Sequence, residues 1–369
     1  MRVYTVDNSK NHDECMGLLA DAGIYLALDV NSPDYSINRA DPAASYNDVY
    51  LQSVFATIDA FAKYDNTLLF FSGNEVINAD NNTNCAPYVK ATTRDMKQYI
   101  NSQGYRAIPV GYSAADVESN RFEMASYMNC GTDDQRSDFF AFNDYSWCDP
   151  SSYTESGWDQ KVQQYSDYSI PLFLSEYGCI TNQRKFQEVQ ALYGSQMTPV
   201  YSGGLVYEYS EEGSGYGLVT IDGTDITESP DFQALATAYS NANPSGDGGY
   251  KPSGAPSECP AKSSTWEVED FTGEQLPSIP QGAMKYMQKG AGKAPGLNGP
   301  GSQNAGGTST GTAAPGSASS TSGSSSESAS ASSSGNAASG LRADGASNAP
   351  LFVCGAAVVL STLMGALAL

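Results

Sequence analysis

Thr67-Leu-Leu-Phe-Phe-Ser-Gly-Asn-Glu75-Val76 and Ile170-Pro-Leu-Phe-Leu-Ser-Glu176-Tyr-Gly-Cys179 are two short apolar runs, each ending in a glutamate. A run of this length bounded by turn residues reads as a fully buried strand, since a helix needs a longer periodic stretch. A carboxylate at the C-terminal end of such a strand stands where a (β/α)8 barrel keeps its catalytic groups. Two of them, Glu75 and Glu176, suggest glycoside chemistry, which works with a pair of carboxyl groups. With 41 Asp and Glu in 369 residues, an isolated acid at a strand end also reads as a loop solvator or helix cap. The functional reading therefore rests on the pair and its context.

Outward from these runs the chain alternates. Arg2-Val-Tyr-Thr-Val-Asp7 has the period of a strand, and Asn8 to Asp13 is a polar cap before a helical stretch from Glu14 to Ala22 that Gly23 ends. Ile24 to Val30 is a buried strand with Asp29 near its end, followed by a helix of period 3.6 from about Asp48 to Lys63. Beyond Glu75 the spacing predicts helices near 86–102, 119–130, 158–165 and 186–197, and strands Ala107–Tyr112, Asp138–Asn143 and Gly203–Tyr209, with a final helix near Phe232–Tyr239. Strands alternating with helices imply parallel βαβ units. Seven such strands are counted against the closed eight-stranded TIM barrel, and the shortfall is at the front.

Composition divides the chain. We expect a (β/α) barrel catalytic domain over 1–260, an irregular linker over 261–300, and a Ser/Gly/Ala-rich stalk over 301–340 that cannot bury enough apolar surface to fold. Residues 341–369 read as a removable GPI-attachment signal: small residues around Asn336, a polar spacer, then an uncharged tail from Leu351 to Leu369, with Gly335 and Ser339 as rival attachment sites. A net charge of −22 without a basic run excludes nucleic acid as a partner and favours a neutral substrate. Tyrosine is abundant at 24 residues against 13 Phe and 3 Trp, and its amphipathic ring suits sugar faces as well as half-buried core. The single histidine, His12, reads as a helix-start residue, and neither a histidine triad nor a metal site nor a cofactor is expected.

Apart from Cys354 in the tail, the cysteines are Cys15, Cys85, Cys130, Cys148, Cys179 and Cys259, none in CxxC spacing, which favours disulfides in a secretory compartment. The sequon at Asn81 points the same way. Met1 to Asp7 reads as a strand, without the apolar core of an export signal.

Five stretches carry a family resemblance: Gly73-Asn-Glu-Val76, Ile108-Pro-Val-Gly-Tyr-Ser-Ala-Ala-Asp116, Asn143-Asp-Tyr-Ser-Trp-Cys148, Ser175-Glu-Tyr-Gly-Cys179 and Ser202-Gly-Gly-Leu-Val-Tyr-Glu-Tyr-Ser-Glu-Glu212. In this order they closely resemble the fungal β-1,3-glucanosyltransferases of glycoside hydrolase family 72, over about residues 1 to 260. The resemblance implies that Glu75 is the acid/base and Glu176 the nucleophile. It implies that Tyr145 supports the nucleophile and that Tyr4, Asp29, Asn74, Tyr177 and Tyr207 line the glucan cleft. At each of these positions packing at a strand end is the structural alternative. Disulfides Cys148–Cys179 and Cys130–Cys259 are likewise implied, whereas Cys15 either stays unbridged or reaches Cys85. Because the family begins with a signal peptide and a first βα unit, the resemblance implies that this chain lacks both.

The expected activity is a retaining transglycosidase that cleaves β-1,3-glucan and passes the new reducing end to another glucan chain, at a cell surface reached through a GPI anchor. The alternatives are a retaining endo-β-1,3-glucanase and an inactive wall-binding protein.

Overall fold

Strand and helix alternate throughout the first 241 residues of the computed structural model, which describes residues 1–244, 254–269 and 275–319. The strands β1 (Arg2–Val3), β2 (Leu26–Asp29), β3 (Thr67–Asn74), β4 (Val110–Ala115), β5 (Phe139–Asn143), β6 (Leu172–Tyr177) and β7 (Tyr201–Val206) lie side by side in chain order. All neighbouring pairs are parallel, and the sheet curls into a half-barrel with β1 and β7 at its edges. Helices α1 (Asp13–Asp21), α2 (Pro42–Ser45), α3 (Asp48–Phe61), α4 (Ala86–Ser102), α5 (Arg121–Asn129), α6 (Trp158–Gln164) and α7 (Glu188–Leu192) make the connections. A hairpin of β8 (Val219–Asp222) and β9 (Asp225–Glu228) leads into α8 (Pro230–Asn241).

The sequence explains these boundaries locally. Asn47 caps α3 by accepting from the Tyr50 backbone, and Ser229 does the same for α8 from Phe232, with Pro230 at the first helical position where its missing N–H costs nothing. The helix expected over 186–197 shrinks to the short α7, because Gly194, a poor helix former, stands where it would continue. His12 does precede α1, its ring against Phe61.

Side chains alternate across each strand. Leu28, Phe70, Tyr112, Phe140, Phe142 and Leu174 face the helices, whereas Ala27, Leu69, Phe71, Phe139, Ala141 and Phe173 form a separate apolar layer inside the curl. Gly111 is required in that layer, since a Cβ there would stand 2.3 Å from the Phe139 carbonyl oxygen. Above it the inward positions turn polar, and two irregularities matter. The register of β3 on β4 shifts between Phe71 and Asn74, and that of β6 on both neighbours shifts around Ser175 and Glu176. A bulge reverses the alternation, so that Asn74 and Glu176 turn inward instead of toward the helices.

Packing against the barrel does not end at residue 260. The Cys130–Cys259 disulfide ties the segment 254–269 to α5, and Trp266 is fully buried against Tyr127. β10 (Leu276–Pro277) pairs with β11 (Thr312–Ala313), and α9 (Met284–Lys289) lies between them in sequence. The described parts of the expected linker, 261–269 and 275–300, and the first part of the expected stalk, 301–319, thus pack on the outer side of α3 and α4, where Trp266, Leu276 and Ile279 complete the core. The rest of the stalk, Asn336 and the tail lie outside the described residues, among which no helix is long and apolar enough to cross a membrane. If the segment is part of the folded unit, Trp266→Ala should lower unfolding stability by about 3–5 kcal/mol, read from urea denaturation. A change below about 0.5 kcal/mol, the range of a surface substitution, would place the segment outside the cooperative unit.

Candidate active site

At the C-terminal end of the half-barrel the strands deliver a polar layer. Arg2 and Tyr4 come from β1 and the residues just after it, Asp29 from β2, Asn74 and Glu75 from the end of β3, Ser113 from β4, Asn143 from β5, and Ser175 and Glu176 from β6. Register places Asn143 directly beside Glu176 and Ser113 beside Asn74. The two glutamates separated in sequence therefore meet across a shared wall of amides and hydroxyls.

Glu176 is 8% exposed and held by three donors. Tyr145 donates to Oε2 at 2.7 Å, while Tyr4 at 2.8 Å and the Arg2 guanidinium at 3.2 Å donate to Oε1. Burial pushes the Glu176 carboxyl above its ordinary value; Arg2 and the Tyr145 phenol oppose this, the Glu75 charge adds to it, and Tyr4 opposes it again. Both carboxylate oxygens are directed, so the group is fixed in orientation.

Glu75 is only half buried and is held differently. It follows a strand end in the left-handed region, φ 49°, and its Oε1 accepts from Asn143 Nδ2 at 2.8 Å. Asn74 Oδ1 accepts from Arg2, Ser113 and Asn143 at 3.0, 2.8 and 3.0 Å. With that oxygen occupied, the Asn74 amide nitrogen is the group left to meet a sugar hydroxyl.

Arg2 and Asn143, together with Ser113 and Ser175, were not singled out from sequence. Arg2 is nearly fully buried, its fork bidentate to Asp29 at 2.9 and 3.1 Å and its plane between the rings of Tyr4 and Phe71 at 4.3 and 4.4 Å. Burial alone would lower its pKa, but Asp29, Tyr4 and Glu176 raise it, so it stays charged. Its signal in the sequence was its place two residues before Tyr4, on the same strand face. Asn143 opens a quoted motif, yet nothing in one sequence marks it beside the acids.

The other expected residues divide. Tyr4, Asp29, Asn74 and Tyr145 surround the acids, and Tyr207 stands edge-on to Tyr4 at 6.0 Å. Tyr216, not foreseen, packs against both Tyr145 and Tyr207 and completes an arc of phenol rings beside Glu176. Tyr177 is not among them: it is 1% exposed on the helix side of β6, its hydroxyl 2.8 Å from that of Tyr239. The Cys148–Cys179 bridge joins the loops after β5 and β6, and Cys130–Cys259 is made as well. Cys85 is a buried thiol, so the alternative bridge from Cys15 to Cys85 is not formed. Asn81 is exposed in a 3-10 turn after Glu75, while its sequon partner Thr83 is buried and accepts from the Glu267 backbone N–H.

Comparison with known proteins identifies the family. The family model described as Glucanosyltransferase matches residues 1–243. The 1,3-beta-glucanosyltransferase gel1 of Aspergillus fumigatus is 66% identical over 301 residues, covering 81% of this chain and 66% of the relative. The 1,3-beta-glucanosyltransferase GAS5 of Saccharomyces cerevisiae is 54% identical over 80% of this chain and 61% of its own length. The chain thus spans just under two thirds of these relatives. Among solved structures, a mutant of Saccharomyces cerevisiae Gas2p in complex with laminaritetraose and laminaripentaose superposes with a TM-score of 0.70 at 39% identity, over 76% of this chain and 62% of that one.

The donors on Glu176 make its titration a direct probe. Followed by carboxyl-carbon NMR, Glu176 should titrate above its ordinary 4.5, and Tyr145→Phe should move it higher still, because the phenol stabilises the ionised form. A downward move would mean that Tyr145 does not donate to the carboxylate.

Proposed function

Because this chain belongs to the glucanosyltransferase family, glycoside hydrolase family 72, we propose that it is a retaining transglycosidase acting on β-1,3-glucan. The observation that supports this most is the asymmetry of the two acids. Glu176 is buried, charge-compensated by Arg2 and aimed by two phenols, as a nucleophile must be. Glu75 sits on a half-exposed turn with one amide contact, free to exchange a proton with a ligand.

In the first step a Glu176 carboxylate oxygen attacks the anomeric carbon while Glu75 delivers its proton to the departing glycosidic oxygen. One chain leaves with a hydroxyl, and the other is held as an ester on Glu176. In the second step Glu75, now ionised, takes the proton of an incoming sugar hydroxyl as that oxygen displaces Glu176, and a β-linkage forms with retention. The Asn74 amide is placed to hold a donor hydroxyl beside the reacting carbon, where the contact tightens in the transition state. Arg2 stays charged throughout, stabilising Glu176 as it leaves. Tyr4, Tyr145, Tyr207 and Tyr216 offer ring faces and edges to sugars, a surface that favours a carbohydrate acceptor over water. Donor and acceptor are both β-1,3-glucan in this reading, and no cofactor enters.

We place the reaction at the cell surface. Two disulfides and an exposed sequon asparagine support a secretory route, and the GPI attachment at Asn336 is proposed from sequence alone.

Incubation with a reduced laminari-oligosaccharide tests the reading. Products longer than the substrate are expected alongside shorter ones. Shorter products alone would make the protein an endo-β-1,3-glucanase, and no turnover would leave a binding protein. Glu75→Gln and Glu176→Gln should each reduce transfer by at least about 10²–10⁴-fold, the scale of a lost acid/base or nucleophile.

A further inference from the structure

The half-exposed turn that carries Glu75 is clamped from a part of the chain that the reaction does not use. Glu75 is one of only two residues other than glycine with positive φ among the described residues. In that region an L side chain crowds its own backbone at a cost of roughly 1–2 kcal/mol, so the conformation persists only where its surroundings fix it. Here the backbone of residues 75 to 77 is held on both sides. The Glu75 N–H donates to the Ser113 carbonyl at 2.9 Å, and the Ile77 N–H donates to the Tyr112 hydroxyl at 3.1 Å. On the opposite side Arg39 Nε donates to the Val76 carbonyl at 2.9 Å, and its terminal nitrogen donates to the Glu75 carbonyl at 2.5 Å.

Arg39 lies in the loop between β2 and α2, far in sequence from the turn it grips. It is exposed and forms no ion pair among the described residues, and its side-chain contacts there are the two carbonyls of the turn. A planar fork whose two donors reach consecutive carbonyls is what fixes the plane of a peptide, which a point-charge ammonium cannot do. The loop is itself braced from behind. Ser302 donates its N–H to the Asp34 carbonyl at 2.8 Å, Gln303 donates to the Ser36 carbonyl at 2.9 Å, and Asn47 donates to the Ser302 carbonyl at 2.6 Å.

We propose that Arg39 is a positioning residue for the acid/base: it locks the left-handed turn at Glu75 by bridging the Glu75 and Val76 carbonyls, and so sets the aim of the carboxyl that exchanges the proton. This rests on the assignment of Glu75 above, and it extends the working site to a loop held by the segment 302–303. Removing Arg39 releases two carbonyls to water and lets the turn relax toward ordinary backbone. Glu176 and its donors, which lie on other strands, are untouched.

The test separates proton transfer from everything else. Transfer between laminari-oligosaccharides needs both the acid and the base. A 2,4-dinitrophenyl β-laminarioside assayed with azide needs neither, because the phenolate leaves unprotonated and azide attacks without a base. Glu75→Gln, the reference, should lose about 10²–10⁴-fold on the first assay and far less on the second. Arg39→Ala should follow the same pattern at smaller size, a loss of about 10–100-fold in kcat on the oligosaccharide with KM little changed, and within about 3-fold of wild type on the activated pair. Arg39→Lys, able to serve one carbonyl at a time, should fall between. Equal losses of Arg39→Ala on both assays, or full activity on both, would overturn the proposal while leaving Glu75 as acid/base. If Glu75→Gln itself shows no dependence on the donor, the assignment of Glu75 falls, and the role given to Arg39 falls with it.

Discussion

A guanidinium buried at the floor of a cleft is costly to desolvate, and the polar layer of this protein is arranged to compensate that of Arg2. Asp29 takes it bidentately, Glu176 and Asn74 accept its remaining donors, and Tyr4 and Phe71 cover its faces. The contacts draw together residues of β1, β2, β3 and β6, so one side chain fixes the relative placement of four strand ends. The dependence is mutual. Without Arg2, Asp29 and Glu176 would be buried carboxylates with no countercharge, a state that costs about 3–5 kcal/mol when one partner of such a set is removed.

From that centre the two acids acquire opposite character. Asn74 and Glu176 are carried inward by bulges, because strict alternation along β3 and β6 would have turned both toward the helices. Glu176 then falls among donors already held by Arg2, and its environment favours a fixed carboxylate. Glu75 continues one residue further, into a turn whose backbone is held by Ser113, Tyr112 and Arg39 while its carboxyl remains open to the cleft. A rigid backbone beneath a mobile proton is what general acid–base work requires.

The sequence announced the architecture because strand runs and helical periods are local signals, and seven of each alternation survive folding unchanged in order. It also announced Glu75 and Glu176, since each closes an apolar run. What it could not announce depends on register. Asn143 and Ser113 matter only because strands pair as they do, and Tyr177 faces α8 because a bulge before Glu176 has turned that residue inward and the next one outward. The hairpin of β8 and β9 and the ring of Tyr216 escaped notice in a stretch that shows little apolar character. The segment beyond 260 read as linker because its composition is poor in apolar residues, yet a few well-placed ones, Trp266 and Leu276 among them, suffice to dock it on a core that already exists.

The central claim is that the buried, compensated Glu176 forms the covalent bond to sugar. Its most direct measurement is trapping with a laminari-oligosaccharide donor carrying fluorine at C2 and an activated leaving group, which slows breakdown of the glycosyl ester, followed by proteolysis and mass spectrometry. We expect the added glycosyl mass on the peptide containing Glu176 and none on the peptide containing Glu75. A label on Glu75, or a burst of leaving group with no label on either, would contradict the account.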